Sequence, residues 1–327
     1  MVAGFLFKGT DMSESTKGVW AVIAACTIWG ISSVFYKMLS HVPAIEVLAH
    51  RTVWSVVFFT IVLVIQKRFM ALREVFGSLS RIGIVGLASI MIAFNWFCFI
   101  YAIQIGHATE ASFGYFIFPL VAVCLGVVFF GERLSLGQKL AIALAAVAVL
   151  TLGLGQGVVP WVPLALSLSF GAYSALKERL EMGPVVSVTG GVILLLPIAL
   201  GLMLYFGATG TSGVQGDIWT IGLLIVSGPL TAIPLILFSY GARRLTMSTV
   251  GIVQYINPTL QFLVAVLILG EPFGAAHMIA FAFIWLALAV YSSSAYTQDR
   301  ARRRAVMVSE AEVVVSTKSS SDASAKP

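Results

Sequence analysis

Two apolar stretches with the same layout decide the fold of this chain: PLVAVCLGVVFFGE at 119–132 and PTLQFLVAVLILGE at 258–271. Each begins with proline, continues through apolar residues and ends in Gly-Glu, and the second follows the first at an offset of 139 positions without a gap. Tyr101 and Tyr240 repeat at the same offset. Neither stretch alternates between polar and apolar residues as a barrel strand would, so both are predicted to be helical. The shared offset predicts an internal repeat.

The rest of the chain is as apolar as these two stretches. Charged residues make up only 10% of it, against about 25% in soluble proteins, and hydrophobic residues make up 59%. This composition excludes a soluble enzyme and predicts an all-α integral membrane protein. Apolar runs of about 20 residues, the length that crosses a bilayer as a helix, recur from 18 to 296. We predict ten transmembrane helices, at 18–39, 44–66, 81–104, 109–130, 136–153, 160–177, 185–206, 218–241, 247–269 and 274–296.

Equivalent positions of the repeat lie five predicted helices apart. Because five is odd, the second half must cross the membrane in the opposite direction to the first, which makes this an inverted-topology repeat. We therefore predict a polar leader at 1–17, a first five-helix repeat at 18–153, a second at 160–296 and a disordered cytoplasmic tail at 297–327. Such repeats are typical of secondary transporters, although a duplication retained only for folding would leave the same pattern. Translation from Met12 rather than Met1 would give a more usual polar leader.

Positive charge is distributed unevenly over the two sides of the predicted bundle. With the N-terminus inside, 18 of the 20 Lys and Arg residues fall in cytoplasmic segments, and the exceptions, Lys37 and Arg51, lie within or at the end of predicted helices. By the positive-inside rule this bias predicts that both termini are cytoplasmic. The net charge of +6 therefore follows from topology, and we predict no nucleic-acid partner.

Several short motifs add a family resemblance to this pattern. They are Ile28-Trp29-Gly30, the run 46–51 (EVLAHR) with Trp54-Ser55, the run 114–117 (GYFI) before Pro119-Leu120, Gly131-Glu132-Arg133, and the run 254–259 (QYINPT). Together they resemble the RarD family, in the EamA-like branch of the drug/metabolite transporter superfamily, over about 18–296. The resemblance implies a ten-helix permease of the bacterial inner membrane with two EamA-like halves. One departure is Phe118, where the family pattern leads us to expect Asn.

The second predicted helix carries three polar residues that are expensive in lipid and are therefore candidates for a solute pathway. Glu46 and His50 are four positions apart and share a face, whereas Arg51 points about 140° away from Glu46. Arg51 lies eight residues after Pro43, about 12 Å along the helix, and so well below the headgroups. Two interpretations of Arg51 remain open: it locks the helix to a neighbouring carbonyl or Tyr, or it contacts an anionic part of a substrate.

The ninth predicted helix carries a polar stripe next to a helix break. Gln254, Asn257 and Gln261 fall on one face, and Pro258 removes the hydrogen bond that the Gln254 carbonyl would accept. The stripe could line a cavity or satisfy backbone groups within the bundle. The further candidates are Tyr255, Trp29 in helix one, Asn95 in helix three, and Tyr115 beside the break-forming Pro119. For the aromatic residues, packing or an interfacial position is the alternative.

We predict a secondary transporter that moves a small polar or amphipathic organic solute by alternating access. Nothing in the sequence resembles a nucleotide-binding motif, so transport would be coupled to protons through Glu46 and His50, or proceed by facilitated diffusion or exchange. The alternatives are a membrane-embedded enzyme that acts on lipid-linked substrates and a structural or regulatory membrane protein. The Cys and His residues are isolated, so we predict no metal and no cofactor. The expected partners are the solute and the lipid bilayer, and a homodimer is left open.

Overall fold

The structure is a computed structural model that describes residues 13–131, 134–157, 159–180, 182–214, 216–294 and 297. This part of the chain is helical and contains no strand. The proposed start at Met12, and the tail apart from its first residue, lie outside the described residues. The all-α fold class predicted from composition is therefore confirmed for the described part.

Within the described residues, ten long helical segments follow one another with short connections. They are α1 (Glu14–Met38), α2 (Ala44–Ile65), α3 (Leu79–Gln104), α4 (Ala108–Phe130), α5 (Leu136–Gln156), α6 (Trp161–Glu178), α7 (Pro184–Thr209), α8 (Ile218–Ala242), α9 (Met247–Gln254, Ile256–Leu263 and the π-helical turn Val264–Ile268) and α10 (Ala275–Ser294). A 3-10 turn, Phe69–Leu72, and a short helix, Arg73–Phe76, connect α2 to α3.

Nine helices of the described chain are long and apolar enough to cross a membrane, judged by length and composition. The helix outside this set is α6, which has 18 residues and ends in Lys177 and Glu178. The predicted span at 160–177 therefore forms a helix, while its passage through the membrane stays a prediction.

The two prolines of the repeat have different effects on their helices. Pro119, which the sequence predicted to break its helix, lies inside the unbroken helix α4. In α9 the α-helix is interrupted at Tyr255, three residues before Pro258, the residue at which the sequence predicted a helix break within the span 247–269. The interruption has a local cause, since Pro258 has no N–H to donate to the carbonyl of Gln254.

Short polar residues and glycines delimit the helices. The Ser78 hydroxyl accepts the Arg81 N–H at 3.2 Å where α3 begins, and Ser135 forms a capping box with Gln138 at the start of α5. Such caps are worth about 0.5–2 kcal/mol each. Gly131 ends α4 at φ 67°, a left-handed conformation that favours glycine.

Helices from the first five pack closely against helices from the last five. The main contacts pair α1 with α8, α3 with α6, α4 with α6, α2 with α7 and α8, and α1 with α9. Glycines allow the backbones to approach: a Cβ on Gly241 of α8 would lie 2.5 Å from the Gly18 carbonyl oxygen of α1, and one on Gly114 of α4 would lie 2.9 Å from the Pro163 Cα of α6. Small residues serve this purpose between membrane helices. The interface between the two sets of five helices surrounds the site described next.

Candidate functional site

A cavity of about 980 Å³ lies between the two sets of helices. It begins deep in the bundle at Tyr36 and Arg51 and extends to Lys177, Glu178 and Arg243, where α6 and α8 end. Glu178 and Arg243 are exposed, so we call this the open end. The loops at 39–43, 105–107 and 269–274 and the described part of 210–217 contribute no lining residue, and we call that side the closed end. The volume is in the range of sites for small organic ligands.

Arg51 is held at the inner end of the cavity by groups from three other helices. Its side chain is buried, at 6% exposure, and its Nε donates to Thr231 Oγ1 of α8 at 2.8 Å. The guanidinium carbon lies 4.1 Å from the ring centroid of Trp96 in α3 and 5.6 Å from that of Tyr36 in α1. The Thr231 hydroxyl donates in turn to the Ser227 carbonyl at 2.9 Å, so its oxygen is oriented to accept from Arg51. Throughout the described chain, no carboxylate forms an ion pair with Arg51.

Asn95 and Tyr115, both predicted as cavity candidates, form one wall next to this guanidinium. The Asn95 amide nitrogen donates to the Leu166 carbonyl at 2.8 Å and to Ser169 Oγ at 3.0 Å, and its Oδ1 accepts from the Tyr115 hydroxyl at 3.0 Å. Both the nitrogen and the oxygen of the Asn95 amide therefore have partners, and the bond to its oxygen positions the Tyr115 side chain in the cavity wall.

The predicted stripe of α9 faces the same cavity. Gln254, Asn257 and Gln261 all line it, with Tyr255 and Trp29. The Gln261 amide nitrogen donates to Asn257 Oδ1 at 3.0 Å, while Gln261 Oε1 is buried and has no partner among the described residues. The stripe therefore lines the cavity, and one bond within it joins two amide side chains; the alternative, that these amides satisfy freed backbone groups, stays a prediction.

Two of the predicted pathway residues are not in the lining. Glu46 is buried at the closed end, where its carboxylate accepts from the Ser212 hydroxyl at 2.5 Å and from the Gly213 N–H at 2.9 Å. His50 is half-buried and forms no hydrogen bond within the described structure. The structure therefore places Arg51 in the cavity and separates it from Glu46 and His50, in keeping with their different helix faces.

Other bonds close the same end of the bundle. Glu271 follows α9, and its two carboxylate oxygens accept the N–H groups of Ala108 at 2.6 Å and Thr109 at 2.7 Å, at the start of α4. The Gln104 amide donates to the carbonyls of Leu39 at 3.2 Å and Val42 at 2.9 Å. These contacts join loops that lie far apart in the sequence, so the closed end is held by specific hydrogen bonds as well as by packing.

The loop before α8 adds a network of three side chains at this end. His41 Nε2 lies 2.9 Å from Thr220 Oγ1, and the Thr220 hydroxyl donates to Asp217 Oδ2 at 2.6 Å. Hydrogen bonds from the hydroxyl and the backbone N–H of Thr220 lower the pKa of Asp217 below its ordinary value. The carboxylate form of Asp217 is thus favoured in the folded protein.

Several lining residues were missed by the sequence analysis, above all Trp96, Thr231 and Lys177. Lys177 was assigned to a helix boundary, but its Nζ is buried without a partner in the described chain and lies 5.5 Å from the Tyr173 ring centroid. The available signals were weak: Trp96 follows Asn95 directly, and Thr231 lies between two prolines of α8. Phe118, the departure from the family pattern, also lines the cavity and packs on Phe170 at 4.6 Å between ring centroids.

Comparisons with known proteins place the chain among transporters. Residues 16–154 match the EamA-like transporter family. An uncharacterized transporter of Vibrio cholerae serotype O1 is 36% identical over 301 residues, which cover 92% of this chain and 100% of that protein. Protein RarD of Escherichia coli (strain K12) is 37% identical over 292 residues, which cover 89% of this chain and 99% of that protein. A solved crystal structure covers 86% of this chain and 99% of its own with a TM-score of 0.58, and at 18% identity this likeness concerns the fold alone.

Proposed function

The chain belongs to the RarD family of EamA-like transporters, and we propose that it is a secondary transporter that carries a small organic solute through the cavity by alternating access. Membership of this family makes it a multi-pass membrane transporter of the drug/metabolite type. The single observation that carries the finer proposal is the contrast between the two ends of the cavity. One end reaches exposed side chains, and the other is closed by hydrogen bonds between the two sets of helices.

The packing supports two five-helix repeats within ten spans. If α1–α5 correspond in order to α6–α10, each contact between the two sets should have a counterpart in which every helix is replaced by its equivalent. The counterpart of the α1–α8 contact is the α6–α3 contact, and the counterpart of the α4–α6 contact is the α9–α1 contact. All four contacts occur. The contacts of α2 with α7 and of α4 with α9 each join two equivalent helices, as a two-fold relation allows, and they occur as well. A two-fold relation of this kind allows two states of the transporter, one open on each side of the membrane. In the second state each repeat adopts the conformation that the other repeat has in the first.

The contact of Glu271 suggests what changes between these states. At the offset of 139, Glu271 corresponds to Glu132, and the start of α4 at 108–109 corresponds to the start of α9 at 247–248. We propose that when the cavity opens on the other side, Glu271 releases α4 and Glu132 accepts the N–H groups at 247–248. Glu132 lies outside the described residues. A helix N-terminus attracts a carboxylate through its free N–H groups and its dipole.

Charge distribution supports an orientation for the state described here. The positive-inside rule places both termini and the open end, with Lys177 and Arg243, on the cytoplasmic side of the bacterial inner membrane. The cavity would then face the cytoplasm. Proton coupling through Glu46 and His50 stays a prediction, and a pH optimum of uptake that disappears only in Glu46→Gln or His50→Ala would assign it to that pair.

Cysteine labelling from both sides of the membrane tests alternating access. Asn257→Cys is introduced after Cys26, Cys98 and Cys124 have been replaced, and a membrane-impermeant thiol reagent is applied to vesicles of either orientation. We expect labelling from both sides, with Glu271→Ala increasing labelling from the closed end and Glu132→Ala increasing it from the open end.

The matched control is Glu74→Ala, which removes an exposed carboxylate outside the cavity and should change neither rate. Labelling from one side only, in the parent and in both variants, would contradict alternating access through this cavity.

A further inference from the structure

We propose that the cavity selects organic carboxylates: a single carboxylate binds to the free edge of the Arg51 guanidinium, and the body of the solute lies among aromatic rings. This inference rests on the proposed function in one respect, since it takes the cavity to be the solute site. It adds the charge and shape of the solute, which neither the fold nor the family membership specifies.

The first support is the charge of the lining. Among the described residues it contains three cations, Arg51, Lys177 and Arg243, and one acid, Glu178, which is exposed at the open end. No ion pair joins any of these four to each other or to another described residue. Positive charge that is buried without a counter-charge is unfavourable in a low dielectric. An anion that enters the cavity supplies the missing counter-charge.

The second support is the part of Arg51 that remains free. Its Nε donates to Thr231, and its guanidinium carbon lies over the rings of Trp96 and Tyr36. The two terminal nitrogens, Nη1 and Nη2, have no acceptor in the described protein. They present parallel N–H groups in one plane, the arrangement that binds both oxygens of a carboxylate. Because Nε is bonded to Thr231 and the rings of Trp96 and Tyr36 contact the guanidinium, the orientation of the edge that carries Nη1 and Nη2 is fixed before the solute binds.

The third support is a second unpaired cation between the open end and Arg51. Lys177 Nζ is buried, has no hydrogen-bond partner among described groups and lies 5.5 Å from the Tyr173 ring. A cavity lined by charge of one sign concentrates solutes of the other sign. Lys177 therefore attracts an anion that enters from the open end, and Arg51 binds it at the inner end.

Aromatic side chains determine the body of the solute. Several aromatic rings line the same cavity as the two cations, among them Trp96, Phe99, Tyr115, Phe118, Phe170 and Tyr173. Such rings bury flat apolar groups well. One free guanidinium edge among apolar walls matches one carboxylate on an apolar or aromatic body, and it matches a phosphate dianion less well because the second charge would have no partner near Arg51.

Binding to the purified full-length protein in lipid nanodiscs tests this inference with four probes that share one ring: benzoate, benzamide, benzylamine and phenyl phosphate. We expect benzoate to bind, by calorimetry and by a concentration-dependent rise in melting temperature, and benzamide and benzylamine not to bind. Arg51→Lys should weaken benzoate binding by about tenfold or more, since the charge stays but the planar fork is lost. The matched control Arg68→Lys changes an exposed arginine outside the cavity and should leave the Kd unchanged.

A second measurement covers the case in which Arg51→Lys does not fold. In the wild type, benzoate affinity should fall when salt rises from about 0.05 M to about 0.5 M, because added ions compete with and screen the attraction, and Lys177→Gln should reduce that dependence. Failure of benzoate to bind, equal binding of benzamide, or tighter binding of phenyl phosphate would each overturn the proposal. Benzoate binding without alternating cysteine labelling would keep the carboxylate site and contradict the transport mechanism.

Discussion

The two ends of the cavity differ in how their charged side chains are used. At the closed end, Glu46 and Glu271 each accept two hydrogen bonds from the opposite set of five helices. Towards the open end, Lys177 Nζ is buried with no hydrogen-bond partner in the described structure and has only the ring of Tyr173 nearby, at 5.5 Å. The comparison indicates that polar contacts between the two sets hold one end shut in this state, whereas the other end contains charge without a protein partner. Removing a charged side chain at the closed end should therefore lower the free energy of unfolding, whereas removing one near the open end should raise it.

The largest effect is expected from Glu46→Ala at the closed end. The substitution leaves the Ser212 hydroxyl and the Gly213 N–H, both part-buried, without their charged acceptor, and a hydrogen bond to a charged group contributes about 1.5–3 kcal/mol when buried and less when part-buried. The free energy of unfolding, measured by denaturant titration in mixed micelles, should fall by roughly 2–4 kcal/mol. Glu46→Gln keeps one carbonyl acceptor and should lose less. Unchanged stability in Glu46→Ala would show that these bonds do not hold the closed end.

A smaller effect of opposite sign is expected from Lys177→Met near the open end. The change keeps the length of the side chain and removes an ammonium group that has no hydrogen-bond or ion-pair partner, so unfolding should become less favourable by about 1 kcal/mol. Uptake of a carboxylate should fall in the same variant. Lys139→Met, at an exposed lysine, is the matched control and should change stability little. A loss of stability in Lys177→Met would mean that the comparison between the two ends is wrong.

The smallest effect concerns the pH dependence of the closed end. The folded-state pKa of Asp217 is lowered, chiefly by the hydrogen bond from the Thr220 hydroxyl. A depressed carboxylate pKa contributes stability that is present above the unfolded value of about 4 and is lost as pH falls through the folded value. The melting temperature should therefore drop between about pH 5 and about pH 3.

Asp217→Asn isolates this contribution, because Asn also caps helices but does not titrate. The variant should show a shallower drop over the same interval. Identical pH profiles for the two proteins would exclude Asp217 as a source of the acid sensitivity.

The sequence predicted helices far better than it predicted partners. Continuous apolar windows and capping residues such as Ser135 determine helices locally, and the helix angle alone correctly separated Arg51 from Glu46. The partners of these two residues could not be predicted, since Thr231 lies 180 positions after Arg51 and Ser212 lies 166 positions after Glu46. Those pairings depend on how the two sets of helices pack. The same limit applies to Lys177, whose place beside the cavity depends on packing across the two sets.

The two prolines of the repeat show a further limit. Pro119 and Pro258 occupy equivalent positions, yet only α9 is interrupted. Both prolines lack the N–H that a helix would use, so the sequence predicts a weakness in each helix. The two helices have different neighbours: α4 packs along α6, with Gly114 against Pro163, whereas α9 packs against α1 and α4. A proline in the sequence therefore locates where a helix can break and does not determine whether it breaks.

The interruption of α9 at Tyr255 also has a mechanical consequence. Bending a regular helix stretches or breaks backbone hydrogen bonds on its convex side, whereas the bond from residue 258 to the carbonyl of Gln254 is already missing here. The two eight-residue pieces of α9, Met247–Gln254 and Ile256–Leu263, therefore meet at a hinge of low stiffness, and the π-helical turn Val264–Ile268 adds a second irregular segment. Gln254 lies before the hinge and Asn257 after it, and both line the cavity. The width of the cavity between these two amides can thus change at little elastic cost.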